Sequence, residues 1–133
     1  MSRAKTLGRE GARDVRLRHL SARKLVTAYA DAATRYGRAL GSYNFREANR
    51  QADRISELYL ALRERGAKDR LELLPLLNHI EFGVRLWAAA HALEFAPDLA
   101  EPVLDKLMRV QGLPSQVAAA TLRDWHSGDL HFA

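Results

Sequence analysis

The most constraining feature of the sequence is the stretch from His79 to Leu93, HIEFGVRLWAAAHAL, which is apolar along most of its length. On a helical wheel its two opposite apolar sides are Phe82, Leu86, Ala89 and Leu93, and Val84, Trp87, Ala88 and His91. A helix that is apolar on two opposite faces must pack against other elements on both faces. The stretch therefore predicts the central helix of a domain, starting near Glu81.

The two segments that precede this helix also show helical periodicity and recognisable ends. Ser21 can cap a helix that ends at Gly41. Asn44, with Glu47 three residues later, can cap a second one that stops at Gly66. The apolar stripes are Leu25, Tyr29, Ala33, Tyr36 and Leu40 in the first, and Ala48, Ala52, Ile55, Leu58, Tyr59 and Leu62 in the second. No segment alternates with period two over a useful length, so the sequence predicts an all-α fold of about six helices.

Three shorter helices complete the predicted set. In KDRLELLPLLNH, Pro75 should bend or interrupt the helix, and the inward positions would be Leu71, Leu74 and Leu77. APDLAEPVLDKLMRVQG carries a stripe of Val103, Leu104, Leu107 and Val110, and PSQVAAATLRDWHSG follows it. A shift of 30 residues superposes Leu74 and Leu77 on Leu104 and Leu107, and alanines 88–90 on alanines 118–120. This self-similarity indicates a helical hairpin that occurs twice.

Charge divides the chain into two parts. Residues 1–24 contain eight Lys and Arg residues against two acidic ones, whereas the other 109 contain 13 basic and 14 acidic residues. The net charge of +5 therefore belongs to the N-terminal part. Residues 1–20 are predicted to form a basic, disordered tail, and residues 21–133 a single helical domain. The tail is interpreted either as an electrostatic arm for an acidic partner or nucleic acid, or, in the favoured interpretation, as a solvated extension.

Several chemistries lack the residues they need. The chain has no cysteine, which excludes disulfides and thiolate ligands. No apolar run approaches the length of a membrane span, and no apolar signal core follows the N-terminus, so a cytoplasmic location is expected. The five histidines include no HExxH spacing, and no GxSxG, Walker or GxGxxG motif occurs. We therefore predict no catalytic residue, no metal, no cofactor and no enzymatic activity.

Two stretches of the sequence carry a family resemblance. VRLWAAAHAL, residues 84–93, resembles the second helix of a HEAT-type repeat, in which a Val-Arg pair precedes an alanine-rich face. Together with EANRQADRISELYLALRERG and the residues through Leu107, it resembles a family of small bacterial HEAT-like proteins catalogued as a domain of unknown function. The likeness covers roughly residues 22–127 and implies an α-α superhelix of the armadillo/HEAT class, without implying a reaction. One departure is Glu81-Phe82-Gly83, where HEAT repeats usually carry an Asp.

Three sets of polar residues are candidate sites. Arg85 can form an i,i+4 ion pair with Glu81, the favoured interpretation, or bind a partner from an exposed ridge. His91, among apolar neighbours, is interpreted as a packed, hydrogen-bonded core residue. Asp53 and Glu57 lie near several arginines, which favours a solvated charged face over acid–base chemistry.

The function that these patterns favour is a non-enzymatic helical-repeat module that binds a protein or peptide. Exposed arginine and aromatic side chains are the usual anchors of such surfaces. The predicted partner-binding residues are Arg50, Arg54, Arg85, Trp87 and Trp125. A sharper version is an immunity partner that neutralises a bacterial toxin domain. The alternative is a nucleic-acid-binding protein that uses the basic N-terminal tail, with steep salt dependence as its mark.

Overall fold

The computed structural model of the chain describes residues 16–132, and within them every regular element is a helix. The α-helices are α1 (Ala22–Gly41), α2 (Phe45–Glu64), α3 (Ala67–Arg70), α4 (Phe82–Ala92), α5 (Pro97–Met108) and α6 (Leu113–Ser127). A 3₁₀ segment (Leu71–Asn78) joins α3 to the loop before α4. The predicted all-α class is confirmed.

The predicted helix ends are confirmed where polar caps or glycines mark them. Ser21 Oγ accepts a hydrogen bond from the backbone N–H of Lys24, and Asn44 Oδ1 accepts one from that of Glu47, both across 3.2 Å. These bonds satisfy amide donors that the first turn of a helix leaves unpaired. Beyond α2, Gly66 adopts a φ of 103°, a conformation that side chains with a Cβ rarely accept.

Pro75 turns the predicted short helix into the 3₁₀ segment, and the prediction of its inward residues is partly wrong. Leu73 and Leu77 are buried, whereas Leu71 is 48% exposed. Leu71 lies at the junction between α3 and the 3₁₀ segment, where the number of residues per turn changes from 3.6 to 3.0. The apolar stripe therefore does not run straight across the junction. Val110 is likewise not a core residue: α5 ends at Met108, and Val110 is 49% exposed.

Helix α4 lies at the centre of the fold, as its sequence predicts. It packs against α1, the 3₁₀ segment, α5 and α6, while α2 packs mainly against α1. Its fully buried residues include Val84, Ala88 and Ala89. The alanines matter because small side chains let neighbouring helices approach closely.

Helices α1 and α4 approach each other closely in the core. There Gly83 faces Gly37, and a Cβ atom added to Gly83 would lie 3.0 Å from the Cα of Gly37 and would overlap the carbonyl oxygen of Ala33. Both obstacles are backbone atoms, which cannot move aside as a flexible side chain can. Residue 83 must therefore be glycine for α4 to pack against α1 at this distance.

Both ends of the described chain pack on the helical body. Leu17 and Leu20 are partly buried against the core, and Arg65 Nη2 donates to the carbonyl oxygen of Leu17 across 2.9 Å. Leu17 and Leu20, which the sequence assigned to the tail, therefore contact the helical body through apolar surface. Residues 1–15 of the predicted tail lie outside the described residues. At the other end, Arg63 Nη1 donates to the carbonyl oxygen of Phe132 across 3.1 Å.

Candidate partner-binding surface

A groove of about 560 Å³ opens between the end of the 3₁₀ segment, the loop before α4 and the C-terminal half of α5. We call it the Ile80 groove. Its lining residues are Leu77, Asn78, His79, Ile80, Arg85, Val103, Lys106, Leu107 and Val110. Leu77 and Leu107 belong to the core, whereas Ile80 is 89% exposed and Val110 is 49% exposed. The groove thus combines an apolar base with two aliphatic side chains that are left in water.

Arg85 shapes one wall of this groove. Its Nη1 donates to the carbonyl oxygens of His79 and Ile80, across 2.7 and 2.9 Å. The same loop is held by the backbone N–H of Glu81, which donates to His79 Nδ1 across 3.0 Å. These bonds fix the loop in a shape that turns Ile80 outward.

The structural role favoured for Arg85 is present, but its partner differs from the predicted one. The carboxylate of Glu81 forms an ion pair with Arg38 on α1 at 3.3 Å. Arg85 bonds loop carbonyls instead, because α4 starts at Phe82 and Glu81 has the extended backbone of an N-cap residue. The two residues are therefore not neighbours along a regular helix. Arg85 is also the predicted partner-binding residue that lines the groove.

The other predicted partner-binding residues lie on three different helices. Arg50 and Arg54 are exposed on α2, where Arg50 forms an ion pair with Glu47. Trp87 is half-buried and contacts the ring of Tyr36 edge-on. Trp125 Nε1 donates to Glu101 across 3.0 Å, and its ring meets that of Phe132. The structure does not gather these five residues into one surface.

A buried polar network fills the centre of the fold. His91 Nδ1 and the hydroxyl of Tyr29 form a hydrogen bond across 2.6 Å, and the His91 ring stacks on that of Tyr59 with centroids 3.9 Å apart. The hydroxyl of Tyr59 donates to Glu94, which also pairs with Arg63 at 3.0 Å and with Arg70 at 3.4 Å. The interpretation of His91 as a packed, hydrogen-bonded core residue is confirmed.

Burial sets the protonation states in this network. It lowers the pKa of His91 to about 3, with a further contribution from the charge of Arg63. Burial also raises the pKa of Tyr29 well above its ordinary value, and burial and then the bond to Glu94 raise that of Tyr59. All three rings are therefore neutral near pH 7. Because His91 is only 4% exposed, its imidazole holds the core together and is out of reach of a dissolved substrate.

Sequence reasoning missed several exposed residues. Ile80, Val110 and Lys106 line the groove, and Tyr43 and Phe45, which are 70% and 51% exposed, form an edge-to-face pair at the turn between α1 and α2. Tyr43 has a φ of 60°, which is uncommon for a residue other than glycine. The sequence did contain an indication that Tyr43 and Phe45 are exposed, because they flank the predicted helix cap Asn44 and so lie at a turn. The sequence contained no such indication for Ile80, because its exposure depends on the shape of the loop that Arg85 holds.

Among residues 16–132, no group of three or more His, Asp or Glu side chains is placed to hold a metal ion. No helix of that part is long and apolar enough to cross a membrane.

Comparison with known proteins identifies the family. The family model described as "Domain of unknown function (DUF2019)" matches residues 23–125, well over half of the chain. The chain belongs to the DUF2019 family. No curated protein matches it.

A solved structure supports the fold of this DUF2019 chain. It is the crystal structure of the protein RPA1889 from Rhodopseudomonas palustris CGA009, with a TM-score of 0.78 and 24% sequence identity. The similarity covers 86% of this chain and 96% of that chain. At this identity the comparison establishes the shared all-helical fold and nothing about function.

Proposed function

We propose that this DUF2019 protein is a non-enzymatic, HEAT-like helical module that binds a segment of a partner protein in the Ile80 groove. The observation that carries the proposal is the exposure of Ile80 and Val110 beside the apolar base formed by Leu77 and Leu107. Apolar side chains scattered singly are ordinary on a protein surface, whereas a grouped apolar patch with a polar rim is typical of an interaction site. A partner side chain placed here would remove both residues from water.

The arrangement of helices supports the HEAT-like part of the proposal. The 3₁₀ segment packs on α4, and α5 packs on α6, so that two packed pairs of helical elements follow each other along the chain. Each unit contributes alanine-rich contacts, with Ala88 and Ala118 fully buried. Stacked units of this kind bury a continuous core and leave grooves between successive pairs, and the Ile80 groove lies between the 3₁₀ segment and α5.

The proposal predicts that Ile80→Asp abolishes partner capture without unfolding the protein. The full chain, immobilised, is exposed to native lysate with and without nuclease, as wild type and as Ile80→Asp. Leu99→Asp is the matched control, because Leu99 is 54% exposed but does not line the groove. We expect to find a partner protein that is retained by wild type and by Leu99→Asp but not by Ile80→Asp. The affinity of Ile80→Asp for this partner should be at least about tenfold weaker than that of wild type, as expected when a central apolar anchor is removed.

Two outcomes would contradict this function. One is that no retained protein distinguishes Ile80→Asp from Leu99→Asp. The other is that retention depends on nucleic acid and disappears with nuclease in all three proteins, which would favour binding through the basic residues near the N-terminus. Circular dichroism of each variant shows whether the fold is intact.

A further inference from the structure

We propose that the segment bound in the Ile80 groove is acidic, with an aliphatic side chain beside a carboxylate that Lys106 and Arg85 receive. This inference rests on the proposed function and specifies the chemistry of the partner. It follows from the charges, the hydrogen bonds and the apolar surface of the groove.

The charged side chains of the groove have one sign. Arg85 and Lys106 line it, and none of its nine lining residues is an Asp or a Glu. The nearest acidic residue along the loop, Glu81, is paired with Arg38 of α1. Opposite charge on the partner would be attracted to this rim, whereas a basic segment would meet like-charge repulsion.

Arg85 is held ready for such a contact. The bonds from Nη1 to the two loop carbonyls fix the guanidinium at the wall of the groove. Its donors on Nη2 and Nε make no hydrogen bond within residues 16–132. A planar guanidinium that is already oriented loses little side-chain entropy when a carboxylate binds to it.

The remaining surface favours an aliphatic protein segment over other anions. The aliphatic lining comes from Val103 and Leu107 of α5, from Val110 just beyond it, and from Leu77 and Ile80, and no Phe, Tyr or Trp lines the groove. Single-stranded nucleic acid is usually bound by aromatic side chains on which bases stack, along a longer basic track. The chain's own N-terminal residues do not suit the groove either, because residues 1–24 carry eight basic side chains against two acidic ones.

A random peptide library displayed on phage tests this chemistry with the full-length protein. Peptides are first selected for binding to wild type, and those that also bind Ile80→Asp are then removed. The peptides that remain require an intact groove. We expect the remaining peptides to be enriched in Leu, Ile or Val next to Asp or Glu. Lys106→Glu should weaken a synthetic copy of such a peptide by about tenfold, and exchanging the peptide's carboxylate for Lys should restore binding to that variant. Lys68→Glu, exposed on α3 outside the groove, is the control and should change nothing.

The outcomes separate this inference from the proposed function. Groove-dependent peptides without a carboxylate, or an affinity that Lys106→Glu changes by less than twofold, would overturn the acidic partner and leave the groove as a binding site. Displacement of the peptides by an equal concentration of a mixed single-stranded oligonucleotide would assign the two cations to phosphate and overturn it as well. A selection that yields no groove-dependent peptide would overturn both.

Discussion

Gly83→Ala is expected to lower the free energy of unfolding by about 3 kcal/mol, the upper part of the range for overpacked cores. The added methyl group would overlap the carbonyl oxygen of Ala33 and crowd Gly37, so α4 would have to move away from α1. That movement would loosen contacts along the central helix. Because small domains are stable by only about 5–15 kcal/mol, the loss is large, and urea unfolding at 25 °C would measure it.

Gly41→Ala is the matched control for this substitution. Gly41 is the last residue of α1, and a Cβ atom there would meet nothing within 4 Å. Alanine favours the helix over glycine by up to about 1 kcal/mol, so this variant should equal or exceed the wild type in stability. A Gly83→Ala protein within about 1 kcal/mol of the wild type would contradict the close α1–α4 contact.

Acid is expected to destabilise the protein through His91 well before most carboxylates titrate. In the folded state the pKa of His91 is lowered to about 3, whereas in the unfolded chain it should be near its ordinary value of about 6.5. Above that value neither state binds the proton. As the pH falls from about 6.5 towards 3, only the unfolded state gains it, so stability decreases by about 1.4 kcal/mol per pH unit. Between pH 7.5 and pH 5 the His91 contribution is a loss of about 2 kcal/mol.

His91→Gln isolates this contribution, because glutamine does not titrate and its amide can still form a hydrogen bond with the hydroxyl of Tyr29. The other four histidines are present in both proteins, so the difference between the two curves reports His91 alone. Urea unfolding at pH 7.5, 6 and 5 should show the stabilities of wild type and variant converging by about 2 kcal/mol as the pH falls. Parallel curves would show that His91 gains its proton equally in the folded and unfolded states and would contradict its burial as a neutral ring.

The elements that sequence predicted well are those set by local chemistry or by one-dimensional periodicity. Ser21 and Asn44 cap their helices through bonds that span three residues, and the stripe from Leu25 to Leu40 needs only the 3.6-residue period. The all-apolar stretch around Ala88 fixes α4 at the centre. His91 was predictable as a core residue because its neighbours along the helix are apolar.

The residues that sequence misplaced depend on geometry between elements. Leu71 lies where two helical geometries meet, and Val110 lies just beyond the end of α5. A prediction that extends one 3.6-residue period through these positions therefore wrongly places both residues in the core. Arg85 was predicted to pair with Glu81, but it donates to loop carbonyl oxygens instead, because the irregular loop before α4 places them within reach. Ile80 became the centre of the candidate site because that loop turns it outward, which no periodicity in the sequence encodes.

Photocrosslinking at residue 80 shows whether a partner protein occupies the Ile80 groove. A photoreactive amino acid replaces Ile80 in one protein and Leu99 in another, each produced in the organism of origin and irradiated in intact cells. Both positions are exposed, at 89% and 54%, so the fold should tolerate either change. We predict a discrete protein adduct from position 80 that is absent from position 99. The same adducts from both positions, or no protein adduct from position 80, would contradict this occupancy.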